Sequence, residues 1–125
     1  MSAKKKVLII DDDPAICESV QAILDANGYE AATALSGKDG LAAFRRMKPD
    51  FVLCDMMMED IDAGVKVAKA MKEESPATPI FLLSTVGDAT ADTIGVYNLG
   101  FSGVFQKPVD FDLLLSVLAK QSKAG

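Results

Sequence analysis

Residues 7–13 read VLIIDDD, four apolar residues followed at once by three aspartates. A continuous apolar run rich in β-branched residues is typical of a strand buried on both faces, as in a parallel sheet. A lone carboxylate cannot follow such a strand into the core, because burying an unpaired charge costs more free energy than folding supplies. The strand is therefore predicted to end where Asp11 begins, with acidic side chains at its carboxyl end.

Three more short apolar runs each end at a polar side chain. The runs cover residues 51–54, 80–83 and 104–106. The polar residues that follow them are Asp55, Ser84 and Lys107. Ligands of an open α/β sheet bind at the carboxyl ends of its strands. We therefore expect three carboxylates, a hydroxyl and an ammonium to meet where these strands end.

Apolar residues recur at helical spacing between these strands, and residues 30–34 are predicted as an edge strand. Five helices are predicted. The first runs from Pro14 to a stop at Asn27–Gly28, and the second from its cap Ser36 to Lys48. The third follows the loop 56–60 and ends at about Glu74, the fourth covers 87–99, and the fifth begins after its cap Asp110. The predicted inward faces of two of them are Leu41, Ala42 and Phe44, and Leu113, Leu114, Val117 and Leu118. Strand and helix thus alternate five times, which predicts a parallel sheet with helices on both faces.

Length and composition narrow the class of protein. The 125 residues form one domain by length, with 1–5 and 121–125 predicted as loose tails. A net charge of −5 argues against direct contact with nucleic acid. No apolar stretch approaches the roughly 20 residues of a membrane span, and no signal peptide is evident, which favours a cytoplasmic protein without membrane contact. Cys17 and Cys54 are predicted to be buried free thiols.

The three strand-end acids Asp11, Asp12 and Asp55 indicate a cation site. Clustered carboxylates repel each other, so some take up protons unless a cation neutralises them. Oxygen ligands without His or Cys favour Mg²⁺, or Mn²⁺ in its place. Such an ion, with Lys107, would stabilise a transferring phosphoryl group, and a carboxylate can accept phosphate covalently. The other interpretation is that the acids only cap helices, which fits Asp13.

The whole pattern resembles the receiver domain of bacterial two-component response regulators, over essentially the full chain. The residues that carry the resemblance are Asp11, Asp12, Asp55, Ser84, Lys107 and Pro108. It implies a flavodoxin-like, doubly wound sheet of five parallel strands in the order 2-1-3-4-5, with five helices. It also implies a phosphoacceptor that is not an enzyme in its own right.

The resemblance implies a role for each site residue. Asp55 would accept the phosphoryl group. Asp11 and Asp12, with Asp55 and the backbone carbonyl of Met57, would hold Mg²⁺ or Mn²⁺. The donor would be a histidine kinase or a phosphotransfer protein, and a downstream protein would read the result.

Three further roles concern the phosphoryl group. Ser84 would contact a phosphoryl oxygen through its hydroxyl, and Lys107 would pair with the phosphoryl charge. The bond between Lys107 and Pro108 would be cis.

Several residues depart from the family pattern and are candidates for tuning the response. Glu59 stands where a proline is usual, and Thr85 where a smaller residue is usual. Val104 replaces a Tyr or Phe whose ring normally changes burial on activation, with Phe105 next to it facing the core. The resemblance implies that Met57 lies beside the path of a hydrolytic water, to which its thioether would offer no strong hydrogen-bonding group.

Three functional hypotheses remain. The first is a receiver phosphorylated on Asp55 that signals through the face made by 87–99, 102–106 and the last helix. The second is a receiver-like adaptor whose contacts do not depend on phosphate. The third, an aspartyl phosphatase, needs an acid where Met57 stands. A flavin site is disfavoured because the first strand is not followed by a loop rich in Ser, Thr and Gly.

Overall fold

The computed structural model describes residues 4–55, 63–85 and 102–124. The strands in these ranges are β1 (Lys6–Ile10), β2 (Glu30–Ala34), β3 (Phe51–Asp55), β4 (Ile80–Thr85) and β5 (Gly103–Lys107). The helices are α1 (Pro14–Ala26), α2 (Gly37–Met47), α3 (Ala63–Glu74) and α4 (Phe111–Ala124). Four of the five predicted helices therefore lie within the described ranges, and the one predicted over 87–99 lies outside them.

Neighbouring strands all pair in parallel, in the order β2-β1-β3-β4-β5. This confirms the predicted order and places β2 at an edge. The register sets Ile10 level with Ala34 on one side and with Cys54 on the other. The residues directly after Ile10 and Cys54 are Asp11 and Asp55, so the register brings these two acids side by side.

Two apolar layers cover the two faces of the sheet. Successive strand residues point to opposite faces. Leu8 and Ile10 pack in the layer with α2 and α3, and Val7 and Ile9 pack in the layer with α1 and α4. None of these four side chains has exposed surface. Because both faces are covered, β1 is a continuous apolar run rather than an alternating one.

Helix boundaries follow from local caps. The three predicted caps are confirmed, each a side-chain oxygen that accepts a backbone N–H of the first turn: Asp13 from Ala15 at 2.9 Å, Ser36 from Asp39 at 3.1 Å, and Asp110 from Leu113 at 3.1 Å. After α1, Gly28 has a φ of 88°. Glycine adopts this left-handed conformation without a Cβ clash, which explains the predicted stop at this point.

The predicted apolar faces of two helices are wrong in part. Leu113 is 51% exposed, whereas Leu114 and Leu118 are fully buried. In α2, Ala42 is exposed and Ala43 is buried in its place. Each residue advances about 100° around a helix, so residues i and i+4 share a face while direct neighbours diverge. The core therefore takes the 114/118 stripe and leaves position 113 in solvent.

The prediction of a loose carboxyl-terminal tail also needs correction. Residues 121–124 are helical as the last turn of α4, not the loose segment that was predicted. The run AKQSKA consists mainly of good helix formers, and each residue added to an existing helix gains a backbone hydrogen bond. Near the other end, the Lys5 carbonyl accepts the N–H of Glu30 at 2.9 Å, so the chain is anchored just before β1.

Both cysteines are buried thiols outside any disulfide, as predicted. Burial raises the pKa of Cys17 to about 11, and it also raises the pKa of Cys54. Both thiols therefore stay protonated at neutral pH. Over residues 4–55, 63–85 and 102–124, no helix combines the length and the apolar character needed to cross a membrane.

Two leucines on α4 test the assignment of its buried face. Leu118→Ala should lower the free energy of unfolding by about 2–5 kcal/mol, because it removes a fully buried side chain and leaves a cavity. Leu113→Ala, the same change on the exposed side of the same helix, should change it by less than about 0.5 kcal/mol. Urea unfolding measures both, and equal losses would contradict the assignment.

Candidate functional site

Three carboxylates converge at the carboxyl edge of the sheet. One oxygen from each of Asp11, Asp12 and Asp55 lies within 4.8 Å of the other two. Asp11 has no exposed surface and Asp55 is 5% exposed, whereas Asp12 faces solvent. The structure thus brings together the three acids predicted to form a cation site, with one side of the cluster open to solution.

Backbone and thiol groups hold the backbone of Asp11 and one oxygen of its carboxylate. Its own N–H donates to the Ala34 carbonyl at 3.0 Å, and its Oδ1 accepts the N–H of Asp13 at 2.9 Å. The Cys17 thiol donates to the Asp11 carbonyl at 3.4 Å. These three supports could not be predicted from the sequence, because each involves a backbone donor or acceptor and so has no side-chain signature. Together they leave Oδ2 as the oxygen directed toward Lys107.

Lys107 neutralises part of this acidic cluster. Its Nζ lies 2.8 Å from Asp11 Oδ2 and 3.3 Å from Asp55 Oδ1. Burial alone would lower the pKa of this ammonium, but the hydrogen bond and charge of Asp11 and the charge of Asp55 outweigh it, so the pKa is raised above 10.5. The stabilising contribution is therefore complete at neutral pH and is lost only as the pH rises through the raised pKa.

The donor set fits a hard divalent cation. Asp11 Oδ2 is buried, and within the described parts of the chain it forms an ion pair with the Lys107 ammonium at 2.8 Å. Among the described residues three carboxylates face one ammonium here, so these groups leave negative charge uncompensated. All-oxygen ligands of this kind suit Mg²⁺ or Mn²⁺. The residues present therefore fit the ion that the sequence predicted.

Ser84 lies beside this cluster by register. Asp55 pairs with Leu83, and Ser84 follows it on β4 with a side chain that is buried. The next residue, Thr85, pairs with Lys107 on β5. The predicted hydroxyl and the predicted ammonium are thus carried on adjacent strands at the same edge of the sheet as the acids.

Two other predicted features lie on or after β5. The bond between Lys107 and Pro108 is cis, the isomer that the resemblance implies. Val104 is half-buried in the layer with α2 and α3, and no aromatic ring stands at this position. Phe105 packs in the opposite layer, with its ring centroid 5.4 Å from that of Phe81.

Three tuning candidates cannot be placed beside these contacts. Met57 and Glu59 lie outside the described residues, and so does the side chain of Thr85. Their roles stay predictions.

Residues 7–119 match the family model of the response regulator receiver domain. The chain belongs to this family. Response regulator receiver domains are signalling domains of two-component systems, and they are generally not enzymes. The match confirms the resemblance drawn from the strand-end residues, and it covers the described elements from β1 into α4.

Two curated relatives show the setting in which such a receiver domain occurs. Over 117 residues the chain is 38% identical to the transcriptional regulatory protein ZraR of Salmonella typhimurium, covering 94% of this chain and 26% of that protein. Over 106 residues it is 35% identical to the probable transcriptional regulatory protein TcrX of Mycobacterium tuberculosis, covering 85% of this chain and 44% of that protein. The chain thus spans less than half of either relative.

A solved structure agrees over the whole receiver domain. The response regulator receiver domain protein (CheY-like) from Methanospirillum hungatei superposes with a TM-score of 0.85 at 28% identity, covering 98% of this chain and 99% of that one. This fits the flavodoxin-like fold. Because the two curated relatives are named as transcriptional regulatory proteins, the prediction that nucleic acid is not contacted finds no support beyond the net charge.

Proposed function

We propose that this receiver domain accepts a phosphoryl group on Asp55 and thereby relays a signal in a two-component or phosphorelay system. One observation carries the proposal. The Asp55 carboxylate lies in the cluster with Asp11 and Asp12, 3.3 Å from the Lys107 ammonium. A carboxylate placed between a cation site and an ammonium can act as a nucleophile toward a highly charged phosphoryl group, because that charge is neutralised on both sides.

The transfer exchanges one bond to phosphorus for another. An Asp55 carboxylate oxygen forms the new bond, and the bond from phosphorus to the donor atom breaks with its electron pair leaving on the donor. An ionised carboxylate needs no general base, so the absence of His from the chain is no obstacle. Lys107 pairs with the phosphoryl charge, and the Ser84 hydroxyl donates to a phosphoryl oxygen.

Mg²⁺ or Mn²⁺, when bound, supplies positive charge to the oxygens of the transferring phosphoryl group. Asp11, Asp12 and Asp55 would hold it, together with the Met57 carbonyl. Asp11 is suited to this role because the Asp13 N–H occupies Oδ1 and leaves Oδ2 for a cation.

The donor is a histidine kinase or a phosphotransfer protein, whose phosphohistidine releases a neutral imidazole. An apolar groove of about 250 Å³ lies next to Lys107, lined by Ile16, Val20, Pro108 and Phe111 among others. It offers a protein donor a docking surface beside the acceptor. The downstream protein would bind the predicted face of 87–99, 102–106 and α4, which shares Phe111 with this groove.

Incubation of the chain with acetyl phosphate, followed by intact mass measurement, tests this function. With Mg²⁺ or Mn²⁺ we expect a mass gain of one phosphoryl group per chain, and with EDTA we expect none. Acetyl phosphate serves because it transfers its phosphoryl group without a kinase. If neither metal supports a mass gain, the adaptor hypothesis, in which contacts do not depend on phosphate, replaces this one.

The phosphorylated state is expected to be long-lived. By resemblance, Met57 and Thr85 flank the path along which water attacks the phosphorus of phosphoaspartate. A thioether does not orient water, whereas an amide or a carboxylate does. Met57→Asn and Met57→Glu should therefore lose the phosphoryl group about tenfold faster than wild type, a difference of about 1.4 kcal/mol in barrier.

Mass measurement at intervals after donor removal gives these lifetimes. The rate of phosphoryl entry is measured separately, because a smaller side chain can speed both steps. A wild-type lifetime no longer than that of either variant would remove Met57 from this role and favour Glu59 as the residue that orients water.

A further inference from the structure

Gly40 lies in the first turn of α2, buried against Ile10, the last residue of β1. A Cβ atom at position 40 would lie 2.6 Å from Ile10 Cδ1 and 2.8 Å from each of Ile10 Cγ1 and Cγ2. Carbon atoms in van der Waals contact are about 3.5–4.0 Å apart. The helix can therefore approach the strand this closely only because residue 40 has no side chain.

Ile10 cannot make room by changing rotamer. Both of its γ carbons face position 40, and a staggered rotation about χ1 moves a hydrogen into only one of the two γ positions. The side chain also has no exposed surface and belongs to the buried apolar cluster that contains Ala43, Phe44 and Cys54. A methyl group at position 40 therefore has to displace backbone.

Displacement of either β1 or α2 would disturb Asp11. If the end of β1 moves, Asp11 moves with it, because it follows Ile10 directly. If α2 moves instead, it moves its cap Ser36, whose carbonyl accepts the Gly40 N–H at 2.8 Å. Ser36 is two residues from Ala34, whose carbonyl holds the Asp11 N–H at 3.0 Å.

We propose that Gly40 is a positioning residue for the carboxylate cluster. Its missing side chain lets α2 and β1 meet at the distance that sets the Asp11 backbone where its carboxylate joins Asp12 and Asp55. This inference rests on the proposed function in taking Mg²⁺ as the ligand of the cluster. Mg²⁺ requires nearly ideal octahedral geometry, so a small shift of one ligand weakens binding.

Gly40→Ala tests the proposal through two measurements that need no phosphorylation. Calorimetric titration should show that the variant binds Mg²⁺ about tenfold more weakly than wild type, when the two proteins are compared at the same fraction of folded chain. Hydrogen exchange without metal should show faster exchange of the Asp11 amide, because its bond to the Ala34 carbonyl is disturbed. An unchanged Mg²⁺ affinity together with an unchanged Asp11 exchange rate would overturn the proposal.

Gly28→Ala is the matched control. Gly28 has a φ of 88°, so alanine strains the backbone there, but a Cβ at this position meets no atom within 4 Å. This variant should lose stability and keep the Mg²⁺ affinity of wild type. If it weakens Mg²⁺ binding as much as Gly40→Ala does, the effect is general destabilisation and the proposal is wrong.

Ile10→Ala combined with Gly40→Ala separates steric positioning from other effects. The Ile10 change removes all three atoms that the new methyl group would meet. The double variant should bind Mg²⁺ within about threefold of Ile10→Ala alone, and this comparison holds even if Gly40→Ala by itself does not fold. A double variant that stays tenfold weaker would contradict the proposal. If wild type itself binds no Mg²⁺, the metal site of the proposed function fails, while Asp11 exchange still tests the positioning.

Discussion

Asp55→Asn is expected to abolish phosphorylation by acetyl phosphate, lowering the rate by at least about 10³-fold. The amide that replaces the carboxylate is neutral and a poor nucleophile, and the cluster also loses one of the three carboxylates that we propose as cation ligands. Intact mass after incubation with acetyl phosphate and Mg²⁺ gives the phosphorylated fraction. Circular dichroism confirms that the variant is folded.

Asp50→Asn is the matched control, because Asp50 directly precedes β3 and so lies at the other end of the strand that ends in Asp55. Its Oδ2 accepts the Lys6 N–H at 2.8 Å, and an amide oxygen can still accept that hydrogen bond. This variant should be phosphorylated like wild type. A mass gain that persists in Asp55→Asn would show that another residue is the acceptor.

Lys107→Gln should lower the free energy of unfolding by about 2–4 kcal/mol in the absence of divalent metal. The ammonium lies 2.8 Å from Asp11 Oδ2 and 3.3 Å from Asp55 Oδ1, and its side chain is only 12% exposed. Its removal leaves the buried Asp11 carboxylate without a counter-charge. Lys120→Gln, at an exposed position of α4, should change stability by less than about 0.5 kcal/mol. Urea unfolding in EDTA measures both variants.

Mg²⁺ should restore much of the stability lost in Lys107→Gln, because a bound cation supplies the missing positive charge. Ligand binding stabilises the folded state according to its concentration relative to Kd. The rise in Tm on adding Mg²⁺ should therefore be larger in this variant than in wild type. An equal or smaller rise would show that Lys107 and the cation do not neutralise the same carboxylates.

The fold and the centre of the site could be predicted from the sequence because both depend on where buried strands end. Residues 7–10 are apolar without interruption because β1 is covered on both faces, and the charge at Asp11 cannot continue into the core. The same transition marks Asp55 and Lys107. Parallel pairing then gathers these strand ends at one edge, which is why residues far apart in the chain could be expected to meet.

The supports of the site could not be predicted in the same way, because they depend on tertiary contacts. The Ala34 carbonyl and the Asp13 N–H fix Asp11 through backbone groups that every residue has. The close approach of Gly40 to Ile10 depends on how α2 lies on the sheet. Leu113 shows the same limit, since an apolar residue at a helix start fits either face until the packing of α4 is known.

Location of the phosphoryl group within the chain tests the central claim most directly. The wild-type chain is treated with acetyl phosphate and Mg²⁺, reduced with borohydride to convert phosphoaspartate to homoserine, digested and mapped by mass spectrometry. We expect homoserine at position 55 and unmodified aspartate at positions 11 and 12. Homoserine at either of those two positions, or unmodified aspartate at all three after a confirmed mass gain, would contradict it.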